Sequence, residues 1–212
     1  MTGVNRITLQ VELPGRQPEE ARVLPNLTAM QFIDAILTEF RNEIEHLSDV
    51  PAHYQLVRSG GAALDDDRPL GDQLREGQVR LVERRPKLPD GTAAPARPCY
   101  LRDLASGTVY PILWLPALIG RSDANLPNNE LIAVNLASAP AGRRVSRRHV
   151  RLADVRGQFA VARVPESHAN PVNVRRTDGT VEDVAETPVV ARHGDVLVLP
   201  HSQIELKVLL PV

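Results

Sequence analysis

The sequence predicts two domains, a small α+β domain followed by an all-β sandwich. Three observations carry that expectation. The long helix-period segment lies near the N-terminus, within residues 28–47. After residue 98 only short apolar alternations remain, separated by turn residues at regular intervals. Between the two, Pro86 to Pro98 holds four prolines with Gly and Ala, a composition that resists packing and acts as a semi-stiff spacer. The expected bounds are residues 1–85, a linker over 86–98, and 99–212. A chain of 212 residues accommodates two domains of that size.

In the first domain, Ile7, Leu9, Val11 and Leu13 alternate with polar residues, which predicts a strand with one buried face. Pro14-Gly15 turns the chain, and Ala21 to Pro25 predicts a short returning strand. Thr28 is placed to cap a helix running to about Leu47. Its stripe is Met30, Ile33, Ile36, Leu37, Phe40, Ile44 and Leu47, spaced by three and four. Tyr54 to Arg58 predicts a third strand, stopped by Gly60-Gly61, and Val79 to Val82 a last one after the acidic loop Asp65-Asp66-Asp67. The order β-β-α-β-β, one helix across a small mixed sheet, is the β-grasp arrangement.

In the second domain, Tyr100-Leu101 and Val109 to Ile112 flank the hairpin signal Ser106-Gly107. Ala117 to Ile119 runs into Gly120-Arg121, and Leu131 to Leu136 alternates. Arg156-Gly157 separates Val150 to Leu152 from Phe159 to Val164. Asp178-Gly179 predicts a two-residue hairpin turn between Val172 to Arg175 and Val181 to Val184. Val196 to Leu199 and Ile204 to Leu209 flank Pro200-His201-Ser202.

Composition narrows the function classes. The chain is 42% hydrophobic and 24% charged, which fits a globular protein, and its formal net charge of −1 argues against whole-protein nucleic-acid binding. Charge is uneven: residues 1–85 carry 10 Lys+Arg against 14 Asp+Glu, and residues 86–212 carry 15 against 12. Two modules with different partners are expected. Cys99 is the single cysteine, so no intrachain disulfide forms, which fits a reducing cytoplasm. No secretory signal is visible in Met1 to Arg6, and Tyr110 to Ile119, the longest apolar run, is too short to span a bilayer. A cytoplasmic protein without membrane insertion is expected.

The densest chemistry is Gly142 to His149, with four arginines, a hydroxyl and an imidazole in eight positions. Guanidinium forks match phosphate and carboxylate, so this stretch is a candidate anion site. Its companions are Gly120-Arg121, the loop Ser167-His168-Ala169-Asn170, and Gly194-Asp195. No activated nucleophile, Gly-rich phosphate loop or metal-ligand cluster is apparent, so neither enzyme activity, a metal nor a cofactor is expected. Aromatic residues make up 3% of the chain, which offers little base stacking, and no nucleic-acid partner is expected.

The segment Tyr54 to Arg85, with its double Gly, Leu64, Asp65, Leu70, Leu74 and Gly77, resembles the second half of a ubiquitin-like domain, a resemblance covering about residues 5–85. The ubiquitin-like accessory proteins of type VII secretion are a bacterial comparison. The chain continues through Arg84-Arg85-Pro86, so conjugation through a free Gly-Gly tail is not expected. The resemblance implies a docking face on the third and last strands, presenting Val57, Arg80 and Val82.

Gly-Arg, Ser-Arg-x-His, an Asn loop and a late Gly-Asp, in that order on an all-β background, resemble the forkhead-associated (FHA) domain over about residues 99–210. That family is an eleven-stranded sandwich whose loops read phosphothreonine peptides with Arg clusters. The resemblance implies that Arg121 grips the phosphate, Ser146 donates its hydroxyl, Arg147 adds a second cationic contact, and Asn170 holds the peptide backbone. Gly120 would permit close backbone approach, and His149 would brace the loops. Arg143, Arg144 and Arg148 would form the field and rim. Two departures stand out: His168-Ala169 lengthen the Asn loop, leaving the role of Ser167 open, and Thr177-Asp178-Gly179 replaces the family's Asn-Gly turn. The acidic ends of Asp123 to Glu130 are placed to tune anion binding. The implied function is a phosphothreonine-peptide-binding adaptor in Ser/Thr kinase signalling or secretion-system assembly. It would recruit a Thr-phosphorylated protein through the FHA domain and a second protein through the ubiquitin-like one. The alternative is a structural or assembly protein whose FHA domain no longer binds phosphate.

Overall fold

Alternation at Leu9 and Val11 builds β1 (Ile7–Glu12), which pairs antiparallel with β2 (Glu19–Val23). In the computed structural model, which describes residues 6–167 and 170–211, this is the first hairpin of a unit spanning residues 1–85; residues 86–212 form a second unit. Helix α1 (Ala29–Phe40) follows, then β3 (Tyr54–Arg58), the single-turn α2 (Leu70–Gln73) and β4 (Gly77–Glu83). The sheet order is β2-β1-β4-β3, with β1 and β4 parallel at its centre. Thr28 caps α1 by a reciprocal pair: its hydroxyl accepts from Gln31 N–H at 3.2 Å, and the Gln31 side chain accepts from Thr28 N–H at 3.0 Å. Ala29, Phe32, Ile33, Ile36 and Leu37 face the sheet.

Two expectations change here. The helix stops at Phe40, not Leu47, and Ile44 and Leu47 reach the same core from turns, with the N–H groups of both Glu43 and Ile44 bonded to Phe40 O. The expected docking face also differs. Val57 is only 6% exposed, because the 58–63 turn folds back and pairs Ala63 with it. Val82 is half-buried, which leaves Arg80 as the exposed member.

The second unit is mostly strand. One sheet orders β13-β10-β9-β7-β8, from β7 (Ala117–Gly120), β8 (Ile132–Asn135), β9 (Val150–Val155), β10 (Gln158–Arg163) and β13 (Val189–Val190). The other orders β12-β11-β14-β15-β5-β6, from β5 (Tyr100–Asp103), β6 (Val109–Pro111), β11 (Asn173–Arg175), β12 (Val181–Asp183), β14 (Val196–Leu199) and β15 (Ile204–Leu209). Ile119, Val134, Leu152 and Val161 from the first sheet share one core with Leu101, Val174, Leu197 and Leu206 from the second. The sheets therefore pack face to face as a sandwich. Within the expected linker, Ala93 pairs with Leu115 through two backbone hydrogen bonds of 2.9 and 2.8 Å.

Turn chemistry sets the hairpins. Arg156 and Gly157 both have positive φ, as a two-residue turn between β9 and β10 requires. The β11–β12 hairpin is longer than expected. Arg176 N–H bonds Thr180 O at 2.8 Å, so the loop is Thr177-Asp178-Gly179, with Gly179 at φ 87° supplying the left-handed residue.

Register brings four loops to one end. In the antiparallel β7–β9 pair, Ile119 faces Val150, which sets Gly120-Arg121 beside Arg147 to His149. In β9–β10, Arg163 faces Val150, so the segment after β10 starts at the same place. Asn173 faces Val198 across β11–β14, and Leu199 faces Ile204 across β14–β15, which puts residues 200–203 beside the entry to β11.

Candidate functional site

Gly120 is where two loops meet. A Cβ built there would lie 2.2 Å from Arg147 O and 2.8 Å from Arg147 C, closer than any side chain tolerates. Hydrogen bonds stitch the approach on both sides: Arg121 N–H to Arg147 O at 3.2 Å, and His149 N–H to Ile119 O at 2.9 Å. Arg121 then turns its Nε to Val145 O at 2.7 Å, fixing its guanidinium against the wall of an open depression of about 500 Å³. Arg143, Arg144, Val145, Ser146, Asn170 and His201 complete the lining, with no acidic side chain among them.

Three of these residues form a directed chain of hydrogen bonds. His201 Nδ1 lies 3.2 Å from Asn170 Oδ1, and Asn170 Nδ2 donates to Ser146 Oγ at 2.7 Å. The serine oxygen is thus already an acceptor. Among the described residues its hydroxyl donates to none, which leaves that proton for an outside oxygen. Asn170 keeps one amide hydrogen and one lone pair for a further partner.

Not every expected residue reaches the depression. Arg147 pairs instead with Asp123, Nε to Oδ2 at 2.5 Å. Asp123 is held below the usual carboxylate range by the Asn125 backbone N–H first, then by Arg147 and Arg121. The acidic loop thus acts on one named arginine. Arg148, expected at the rim, is a brace: it donates to Pro127 O at 2.6 Å, Arg147 O at 3.0 Å and Asn129 Oδ1 at 3.1 Å. Ser167 is 2% exposed and donates to Val164 O and His149 O, so its hydroxyl is spent inside the protein. His168 and Ala169 lie outside the described residues.

His149 is 1% exposed and ties loops through its backbone, its carbonyl accepting from Val164 N–H at 3.1 Å and from Ser167 Oγ. Burial pulls the imidazole below its ordinary pKa, against a weaker opposing influence of the Pro171 and Asn170 backbone. Neither ring nitrogen forms a hydrogen bond among the described residues. His201 was not expected from sequence; the signal was Pro200-His201-Ser202, a turn delivered to the site's end by the β14–β15 hairpin. Asp195 of the Gly-Asp motif is 2% exposed and paired with Arg176 Nη1 at 2.6 Å, a structural ion pair. Among the described residues no group of three or more His, Cys, Asp or Glu could hold a metal ion, and no helix is long and apolar enough to cross a membrane.

The structural neighbours of this chain are FHA domains and ubiquitin-like domains. Mycobacterium tuberculosis EmbR in complex with a low-affinity phosphopeptide is 23% identical, with a TM-score of 0.41, covering 55% of this chain and 25% of EmbR. The FHA domain of human APLF in complex with an XRCC1 bisphospho peptide is 19% identical, with a TM-score of 0.37, covering 53% of this chain and 97% of that one. Caldiarchaeum subterraneum ubiquitin is 20% identical, with a TM-score of 0.30, covering 39% of this chain and 99% of that one. No family model matches the chain, and no curated protein matches it.

Proposed function

We propose that the second unit is an FHA domain that binds phosphothreonine peptides, and that the chain is a non-enzymatic adaptor in the cytoplasm. One observation carries this reading: Arg121, Ser146 and Asn170, from three loops, meet on one cationic depression with a serine proton still to donate. A phosphothreonine brings about −1.5 to −2 charge and three acceptor oxygens. In this reading Arg121 donates to the phosphate and Ser146 gives its free proton to a phosphate oxygen. Asn170 uses its remaining capacity on the peptide backbone, and Arg147 joins by leaving Asp123. Gly120 and His149 keep the loops in register.

The first unit serves as the docking module for a second protein. Exposed Arg80 supports this, since with Arg16 and the Pro14–Gln17 turn it lines a depression of about 420 Å³. The adaptor works in Ser/Thr kinase signalling or in assembling a secretion system. Loss of a co-purifying partner in Arg80→Glu would support the docking role; retention of every partner would count against it.

The second reading, a sandwich that assembles without binding phosphate, is favoured by the Arg147–Asp123 pair, which withholds one expected contact. Fluorescence anisotropy of a phosphothreonine peptide and its unphosphorylated twin separates the two. Preference for the phosphorylated peptide supports the reader, and equal or absent binding supports the assembly role.

A further inference from the structure

The depression holds more positive charge than one phosphate neutralises. Arg121, Arg143 and Arg144 contribute three guanidinium groups, against about −1.5 to −2 on a phosphothreonine. The two arginines that follow Ser146 are already committed. Arg147 is taken by Asp123, and Arg148 by carbonyls and Asn129. Among the described residues, the guanidinium groups of Arg143 and Arg144 have no carboxylate or carbonyl partner, and both residues are exposed.

Their placement is built into the chain. They occupy the 3-10 turn Gly142–Arg144, pinned at both ends. Before them, Gly142 is buried, and a Cβ there would lie 2.0 Å from Leu136 O. After them, Val145 is 1% exposed in the sandwich core, and its N–H closes the turn on Gly142 O at 2.9 Å. The two side chains between these anchors line the same depression as Arg121 and Ser146.

We infer that Arg143 and Arg144 form a second anion subsite, and that the preferred ligand is a phosphothreonine peptide with another anionic group beside the phosphothreonine. That group is an Asp or Glu carboxylate or a second phosphate. The inference rests on the phosphopeptide reading above and adds the ligand's flanking chemistry to it.

The test is calorimetry on the full chain with four phosphothreonine peptides: neutral flanks, acidic residues before, acidic residues after, and a neighbouring phosphoserine. A fifth peptide carries the acidic residues without phosphate. At least one doubly anionic peptide should bind about tenfold tighter than the neutral-flanked one. In Arg143→Gln/Arg144→Gln that advantage should shrink to under about twofold, while the neutral-flanked peptide still binds. Which flank gains identifies the side, and the phosphoserine arm separates carboxylate from phosphate. Both side chains are exposed, so the variant should fold; unchanged circular dichroism checks this, and Arg143→Ala with Arg144→Ala, made singly, provide a second measurement. If wild type binds neutral and acidic phosphopeptides equally, the subsite is refuted and the phosphothreonine reading stands. If the unphosphorylated acidic peptide binds as tightly as its phosphorylated counterpart, the phosphothreonine reading fails and the inference fails with it.

Discussion

Replacing Gly120 by Ala tests the junction on which the site is built. The added carbon would sit 2.2 Å from Arg147 O, while such contacts settle near about 3.3 Å. Relief therefore needs roughly 1 Å of separation between two backbones. The flanking hydrogen bonds, Arg121 N–H to Arg147 O and His149 N–H to Ile119 O, would stretch or break, at about 1 kcal/mol each. Forcing a methyl into a packed position adds about 1–3 kcal/mol. A total of about 3–5 kcal/mol, with a urea dependence of about 1–3 kcal/mol per molar, lowers the midpoint by roughly 1–5 M. Trp114, the single tryptophan, lies in the second unit, so its fluorescence reports the affected domain. The same variant should lose phosphopeptide affinity, because Arg121 and Ser146 flank the displaced backbone. A midpoint within about 0.3 M of wild type would refute the close approach.

Asn170→Ala removes the amide that orients Ser146 and meets His201, and phosphopeptide affinity measured by anisotropy should fall about tenfold. Arg176→Ala leaves the Asp195 carboxylate, 2% exposed, with only the Arg192 N–H at 2.8 Å among the described residues, and should destabilise the second unit by about 2–4 kcal/mol in urea unfolding. Burial lowers the pKa of His46, His53 and His149, so the unfolded chain binds protons that the folded one resists. The urea midpoint should therefore fall as pH drops from about 7.5 to 5.5, through the ordinary histidine value near 6.5. Carboxylates with lowered pKa, such as Asp178 and Glu205, withdraw their stabilisation only below about pH 4, outside that window. Cys99 is 4% exposed, and burial pushes its thiol up to about 12. It should resist a thiol-reactive probe until the chain is unfolded.

Much of this architecture is legible in particular residues. Period-two alternation locates β1 and β15, because one buried face leaves a simple pattern. Thr28 and Gln31 mark the helix start, since a capping box is local chemistry. The helix end is not legible. Ile44 and Leu47 continue the apolar spacing, and only tertiary packing shows that they reach the core from turns. In the site, Gly120, Arg121, Ser146 and Asn170 stand out by residue type beside turns. Their juncture with His201 depends on the β14–β15 register, a long-range property that one histidine after a proline does not reveal. The fate of Arg147 is similar. Its partner Asp123 lies in an acidic loop visible in the sequence, but which arginine that loop holds is settled only by the β7–β9 pairing.

Phosphate recognition by the second unit is probed most sharply at Arg121. Its guanidinium is fixed by the Val145 carbonyl at the wall of the depression. Calorimetric titration of a phosphothreonine peptide library against wild type and Arg121→Ala measures its part directly. Wild type should select phosphorylated peptides, and Arg121→Ala should bind them at least about tenfold more weakly. A wild type with no preference for phosphorylation, or an Arg121→Ala protein that binds as wild type does, would contradict phosphate recognition at this site.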